Sequence, residues 1–400
     1  MTLEKLKNIF TRFFSGLTKN SLLLACASLF SDISTEMLYP ILPIYLTQYL
    51  KASGSIVGVI EGIAQATQNI IQGFSGYVSD KWQRRKPIAL FGYILSAISK
   101  PFIGIANTWP GALIARISDR VGAGTRAAPR DALIASSVEE RYKGKAFGLE
   151  GIGDNLGAFM GPLITVLLFF TIQVSIRSIF YLAIIPGLFS VLMIYLVKEK
   201  KNDAKAKSKI DIHTGKFPRA YWKYLMVIAL FGIGNSSNSF LILLVKDEGL
   251  SLVNTVLVYA LFNLVAAFIS YPAGSLSDKF GRKPVLLISF IIFLISYVGF
   301  AFSSSILLVG ILFVFYGLFQ GIFRSVGKTF AADFVPENLR ASSIGWYSTV
   351  VGLSGLIASV IAGQLWDHIS HAAVFIYGAV FSFIGIVSLM ILVPDSHNVK

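Results

Sequence analysis

Twelve apolar runs, each long enough to cross a bilayer, follow one another along this chain: near 21–48, 54–79, 88–106, 109–135, 144–170, 178–198, 221–246, 252–277, 284–304, 305–332, 341–367 and 371–394. A helix needs about 20 apolar residues to span the hydrocarbon core. Lipid offers no hydrogen bonds to a backbone, so each run must satisfy its own N–H and C=O groups as an α-helix. The expected class is therefore an all-α membrane protein. Composition points the same way: 54% of residues are hydrophobic, 14% are charged, and the mean hydropathy is +0.69, outside the range of water-soluble chains.

The net charge of +14 raises nucleic acid as a partner, and the placement of the basic residues removes it. With an even number of spans, both termini share one side. The loops and termini of that side hold 25 Lys and Arg, the opposite loops hold only Lys51, Arg177 and Lys246, and the other 7 lie within spans. This is the positive-inside asymmetry, which predicts a multi-pass protein of the cell (inner) membrane with both termini in the cytoplasm. Cys26 is the only cysteine, and His213, His368, His371 and His397 show no zinc-binding spacing, so neither a disulfide framework nor a metal site is expected. Residues 1–20 mix Lys5, Lys7, Arg12 and Lys19 with Leu6, Ile9, Phe10, Phe13 and Phe14, the pattern of an amphipathic segment on the cytoplasmic surface rather than a signal peptide.

One long polar stretch, 199–220, falls midway. It predicts a cytoplasmic linker between a first six-helix domain, 21–198, and a second, 221–394, followed by a tail at 395–400. The halves repeat each other. Gly76-Tyr-Val-Ser-Asp80-Lys-Trp-Gln-Arg-Arg-Lys-Pro87 returns as Gly274-Ser-Leu-Ser-Asp278-Lys-Phe-Gly-Arg-Lys-Pro284, and the register continues through Gly124 and Gly321, Lys143 and Arg340, and Gly148 and Gly345. Such a repeat is a duplication, and duplicated membrane halves place a substrate path at their interface.

The two loops resemble the signature of the major facilitator superfamily, a Gly-x-x-x-Asp-(Arg/Lys)-x-Gly-Arg-(Arg/Lys) loop between spans two and three, repeated between spans eight and nine. The second copy matches closely; the first has Gln83 in place of glycine and one inserted residue. Arg116-Ile-Ser-Asp-Arg120-Val-Gly122-Ala-Gly124 looks like the family's arginine motif in span four. Gly157-Ala-Phe-Met-Gly161-Pro162 looks like part of the span-five motif of its proton antiporters. The phrases around Ser31–Pro40 and Pro129–Ala135 look like a widespread bacterial branch associated with drug or metabolite transport. The resemblance implies twelve helices in two pseudo-symmetric domains, and secondary transport.

A charge at the bilayer centre costs roughly 2.5–3.5 kcal/mol, so ionisable residues inside spans are candidates for function. Asp32, Glu36, Glu61, Asp119, Asp131, Glu150 and Asp154 all lie in the first half, whereas the spans of the second hold no carboxylate except Asp333, near a cytoplasmic end, and offer Asn235, Asn238, Asn263 and Gln320. Asp32, Glu36 and Tyr39 share one face of span one, with Pro40 and Pro43 beyond them to break the helix. On span four, Arg116 is expected about 10 Å from the outer surface and Asp119 and Arg120 near the middle, a depth at which Arg120 could face Asp32. Glu150, Asp154, Gly157 and Gly161 form a stripe on span five within reach of Arg126 and Arg130, and a Glu61–Lys100 pair is expected. The proton-coupling or substrate-binding candidates are Asp32, Glu36, Arg116, Asp119, Arg120, Asp154, Asn235 and Asn238. Tyr39, Tyr45, Tyr259, Phe262, Tyr316 and Trp346 are candidate pocket aromatics.

A second group is read as gating or structural: Asp80, Arg84, Arg85, Asp131, Arg126, Arg130, Glu150, Gly157, Gly161, Pro162, Asp278 and Arg282. Asp80 and Asp278 are expected to meet the N-terminus of a helix entering from the cytoplasmic side, with Arg84 or Arg85 on Asp131, in the outward-facing state.

The leading expectation is export of a small organic molecule or drug by proton antiport, driven by the proton gradient and needing no cofactor. Uptake of an organic anion or a metal chelate such as a siderophore, at Arg116, Arg120, Arg126 and Arg324, is the first alternative; a non-transporting membrane sensor is the second. The sequence offers no nucleophile–base pair or metal motif, so no enzyme is expected. The expected partners are a small-molecule substrate, protons and the lipid bilayer, with the protein acting as a monomer.

Overall fold

The computed structural model describes residues 15–82, 84–199, 217–303, 305–336 and 339–394. Most of the amphipathic N-terminal segment, most of the linker and the tail at 395–400 lie outside the described residues. The helices are α1 Lys19–Glu36, α2 Gly54–Trp82, α3 Arg85–Ile105, α4 Trp109–Ser137, α5 Lys143–Thr171, α6 Ile176–Leu196, α7 Arg219–Asp247, α8 Leu252–Phe280, α9 Arg282–Phe302, α10 Ile306–Asp333, α11 Arg340–His368 and α12 His371–Leu392. Among the described residues, nine of these meet the length and hydropathy of a membrane span. The others are α1, α2 and α4, and α4 alone carries Arg116, Asp119, Arg120, Arg126, Arg130 and Asp131.

Helix boundaries follow the duplication. α2 and α8 begin and end 198 residues apart, and α5 and α11 begin and end 197 apart. Serine hydroxyls cap several starts: Ser175, Ser251 and Ser370 accept from the N–H three residues on, satisfying one of the donors a helix leaves unpaired. Thr18 and Ser21 form a capping box at α1.

Both halves open on a broken helix. α1 stops at Glu36, turns through residues 37–41, and resumes as Leu42–Ile44 and a wide turn at Tyr45–Tyr49. Pro40 and Pro43 account for this, because a prolyl ring lacks the N–H and clashes with the preceding turn. α7 breaks at 235–238, the equivalent position in the second copy, without any proline. There Asn235 and Asn238 flank two serines, residue types whose side chains compete for backbone groups. Asn238 Oδ1 accepts from the Tyr316 hydroxyl at 2.7 Å, which holds the turn.

The two halves are packed by different chemistry. The second has an aromatic core in which Phe231 stacks on Phe290 with centroids 3.9 Å apart, and Phe293, Tyr297, Phe319 and Phe323 surround them. Such pairs add about 0.5–1.5 kcal/mol each beyond area burial. The first is held by buried ions and by glycines. Gly157 and Gly161 of α5 sit so close to α1 that a Cβ on them would lie 2.6 Å from the Leu29 carbonyl and 2.8 Å from Glu36 Cβ, the close approach expected of small residues in membrane helices.

α2 packs against α11, and α5 against α8, to join the halves. We call the end of the bundle bearing residues 15 and 394 the terminal end and the opposite one the distal end. At the distal end the halves meet: Gly54 and Ser55 lie on Asp367, Gly62 on Leu356, and Gly352 on Asn69. Towards the terminal end they separate. Gly73 on α2, Gly144, Gly148 and Gly151 on α5, and Gly345 on α11 have nothing within 4 Å of a Cβ position. The bundle is closed distally and open at the terminal end.

Candidate functional site

Two ion clusters fill the first half. In the distal one, Arg116 grips Glu61 with Nε at 3.0 Å from Oε1 and Nη2 at 3.1 Å from Oε2, a bidentate geometry suited to the guanidinium fork. Asp119 collects Arg116 at 3.3 Å, Arg120 at 2.8 Å, Lys100 at 3.6 Å and the Ser96 hydroxyl at 2.7 Å. Arg120 Nη1 also donates to Gln68 at 2.8 Å. Asp119 is only 1% exposed, so the cluster is dry and its members are committed to one another. Two expectations are corrected here. Glu61 pairs with Arg116, and Lys100 with Asp119, because Ser96 and Lys100 lie one turn apart on α3 and straddle Asp119. Arg120 does not face Asp32; it turns to α2 and to its neighbour Asp119.

The second cluster joins α1, α4 and α5 nearer the terminal end. Arg130 bonds Asp131 and Glu150, each at 2.9 Å, and the Ser28 hydroxyl at 3.0 Å, with Asp154 at 3.8 Å. The guanidinium near Asp32 is that of Arg126, at 3.9 Å, and it lies over the Tyr93 ring at 4.6 Å. This cluster is looser and wetter: the Asp32 side chain is 27% exposed and Asp154 36%. Arg126 Nε and Nη1, Tyr93 Oη and Asp154 Oδ1 are buried atoms without a hydrogen-bond partner among the described residues.

Glu36 sits apart from both clusters, at the last turn of α1 and on the interface. The Tyr259 hydroxyl donates to Glu36 Oε2 at 3.0 Å, and Asn263 Nδ2 lies 3.5 Å from the same oxygen while donating to the Ala158 carbonyl at 3.3 Å. Tyr39, in the break that follows α1, stacks on Tyr259 at 5.5 Å, and the Arg116 guanidinium lies 5.7 Å from the Tyr39 ring. No cation stands within ion-pairing distance of Glu36 among the described residues. Tyr259 and Asn263 were visible in the sequence as polar residues of α8, but nothing in their spacing named Glu36 as their partner.

The residues expected at the terminal loops are placed as follows. Asp80 lies outside the described side chains. Arg84 is exposed, and Arg85 Nη1 donates to the Ala132 carbonyl at 3.2 Å. The backbone N–H groups of Arg85 and Lys86 donate to Glu199, which caps α3. Asp278 pairs with Arg282 one turn on, at 2.6 Å, and Arg282 reaches Asp333 at 3.1 Å. In this open-ended arrangement Asp278 is thus engaged within its own half rather than with a helix N-terminus across the interface. Of the remaining candidates, Asn235 terminates the first segment of α7, and Pro162 lies buried within α5 beside Gly161.

Comparison with known proteins agrees with this architecture. The family model described as Major Facilitator Superfamily matches residues 24–270 and again 257–400. An uncharacterized MFS-type transporter of Methanocaldococcus jannaschii is 36% identical over 374 residues, covering 92% of this chain and 93% of that one. The fosmidomycin resistance protein of Escherichia coli is 22% identical over 383 residues, covering 94% and 92%. Among solved structures, a D-xylose-proton symporter superposes with a TM-score of 0.77 at 15% identity, over 94% of this chain and 98% of that one. With the described helices built on a duplicated half and the family model matching both halves, this chain belongs to the major facilitator superfamily of multi-pass membrane transporters.

Proposed function

We propose that the protein is a proton-coupled secondary transporter that exports a small organic molecule by antiport, alternating between a terminal-open and a distal-open state. In this reading the terminal end faces the cytoplasm, a placement the excess of basic residues in its loops supports, and the protein works as a monomer in the cell membrane. The observation that carries it is Glu36: a carboxylate inside the helical bundle, with no cation at ion-pairing distance among the described residues, hydrogen-bonded to the opposite half through Tyr259. A carboxylate so placed can be charged or neutral at modest cost, and the hydrogen bonds it makes to the other half differ between those forms. Asp32, one turn away and open to the gap, is the route by which a proton from the terminal side reaches it.

Purified protein in liposomes tests this. An imposed proton gradient should move a transported compound against the direction of proton flow; movement of cargo with the protons would defeat antiport.

Uptake of an organic anion remains the second reading, and one observation favours it. Of the four arginines expected to form an anion site, Arg116 and Arg120 are neutralised by Glu61 and Asp119, but Arg126 keeps two unpartnered nitrogens. The same liposomes distinguish the readings by the sign of coupling.

A further inference from the structure

Three helix ends of the second half converge on one imidazole at the distal end. His371, the first residue of α12, has Nδ1 3.5 Å from Oδ2 of Asp247, the last residue of α7. Its ring also stacks on the indole of Trp366, near the end of α11, with centroids 3.8 Å apart and planes 16° from parallel. Trp366 in turn touches the other half: a Cβ on Gly54, the first residue of α2, would lie 2.6 Å from Trp366 Cδ1. Phe240 of α7 packs on the same indole at 5.7 Å. Next to Trp366 in sequence is Asp367, which accepts the Gly54 and Ser55 N–H groups. The row Asp247, His371, Trp366, Gly54 therefore runs from a half-exposed carboxylate to the contact that shuts the distal end.

Imidazole is the side chain that ordinarily changes charge between pH 5 and 8. As a cation it gains an ion pair with Asp247 and an attraction to the indole face, which strengthens where water is excluded. The His371 and Asp247 side chains are 44% and 46% exposed, so protons reach the imidazole from the distal side and neither charge bears a full desolvation cost. The other charged or titratable groups on the elements packed here are Lys246 and Glu248 beside Asp247, Asp367 and His368 beside Trp366, and Lys51 in the turn before α2. Lys246 Nζ is turned to the Leu250 carbonyl at 3.2 Å. The dipole of α12 opposes a cation at its first residue, and Asp247 offsets it. With the distal end shut, Gly54 covers the indole; as the end opens, Gly54 withdraws, water reaches the ring and the cation–π attraction weakens. The closed form thus holds the His371 proton more tightly, and by linkage protonation favours closure.

We propose that His371 is a pH sensor for the distal closure: its protonation braces Trp366 against Gly54 and holds the distal end shut, at a site separate from Asp32 and Glu36. The stabilisation is fully present when the imidazole is charged and is lost as the pH rises through its titration. The sensor needs alternating access only; it does not depend on proton coupling or on the direction of transport.

The test is a pH profile of the distal closure. Spin labels at Thr108→Cys and Ser305→Cys, in a Cys26→Ala background, sit at the starts of α4 and α10, exposed and making no side-chain cap. Double electron–electron resonance then gives the ratio of distal-closed to distal-open molecules. It is measured in the parent and in Asp367→Ala, which loosens the distal contact so that both states are populated. The contribution of His371 is the difference between the profiles with and without His371→Gln, so protons taken up by the acids of the gap cancel. That difference should be nil near about pH 8 and reach about fivefold near about pH 5.5, with the glutamine variant the less closed. His371→Arg, a planar cation that does not titrate, should keep the fivefold gain over glutamine at both pH values, which also guards against misfolding. His368→Gln, on the same rim, should follow the parent. The same ratio with and without His371→Gln in both backgrounds, a difference that does not change with pH, or one of opposite sign overturns the proposal. Because the readout is a distance, its failure is separate from failure of the proton-antiport reading.

Discussion

Asp367 caps Ser55: the carboxylate at the end of α11 accepts the N–H groups of Gly54 at 2.8 Å and Ser55 at 2.7 Å, so one half of the molecule closes the first turn of a helix belonging to the other. A carboxylate at a helix N-terminus satisfies donors that are otherwise unpaired and complements the dipole. Two hydrogen bonds made only when the distal end is shut bias the equilibrium towards the terminal-open state.

Asp367→Ala should therefore shift the population towards the distal-open state by about fivefold, the effect of losing a cap worth ~1 kcal/mol. Labelling of Ser55→Cys by an impermeant maleimide would rise accordingly. An unchanged labelling rate would remove Asp367 from the distal closure.

Glu36→Gln keeps an acceptor for the Tyr259 hydroxyl but cannot exchange a proton. Expression and thermal stability should stay within about 1 kcal/mol of the parent, while transport driven by a proton gradient is lost. Exchange of cargo down its own gradient should persist, and its loss would mean that Glu36 binds substrate rather than protons.

Asp32→Asn should likewise abolish gradient-driven transport while leaving expression intact, because Asp32 is held by a single guanidinium at 3.9 Å and is open to the gap. Full activity in that variant would take Asp32 out of the proton path.

Asp119→Asn should behave differently. Lys100, Arg116 and Arg120 all converge on this one buried carboxylate. Removing the charge from a buried network costs about 3–5 kcal/mol, so the expected result is loss of folded protein in detergent, read by size-exclusion chromatography and thermal melting. A stable but transport-inactive Asp119→Asn would instead assign this cluster to the transport cycle.

Much of the fold was legible because hydropathy, loop charge and duplication are local properties. Pro40 and Pro43 announce the break in α1, and Gly157 and Gly161 announce a close helix contact, since each residue imposes its geometry on its own backbone or surface. Charge partners were less legible. A helix periodicity tells which face a side chain shares, but not how neighbouring helices are rotated. Arg120 was expected on Asp32 at matching depth, yet α4 turns Arg120 towards α2 and brings Arg126, almost two turns away, to α1. The break in α7 carries no proline and became evident only beside its counterpart in α1.

By itself, the order of residues determined that this chain crosses a membrane many times as helices, that it is built from two copies of one unit, and that costly ions are concentrated in the first copy. Only the tertiary structure decided which ions neutralise one another, which of them face the gap, and that Asp367 and Tyr259 reach across the interface. The reason is that insertion into lipid depends on the hydropathy of each segment separately. Pairing depends on the relative rotation and depth of helices far apart in sequence, set by packing of all of them together.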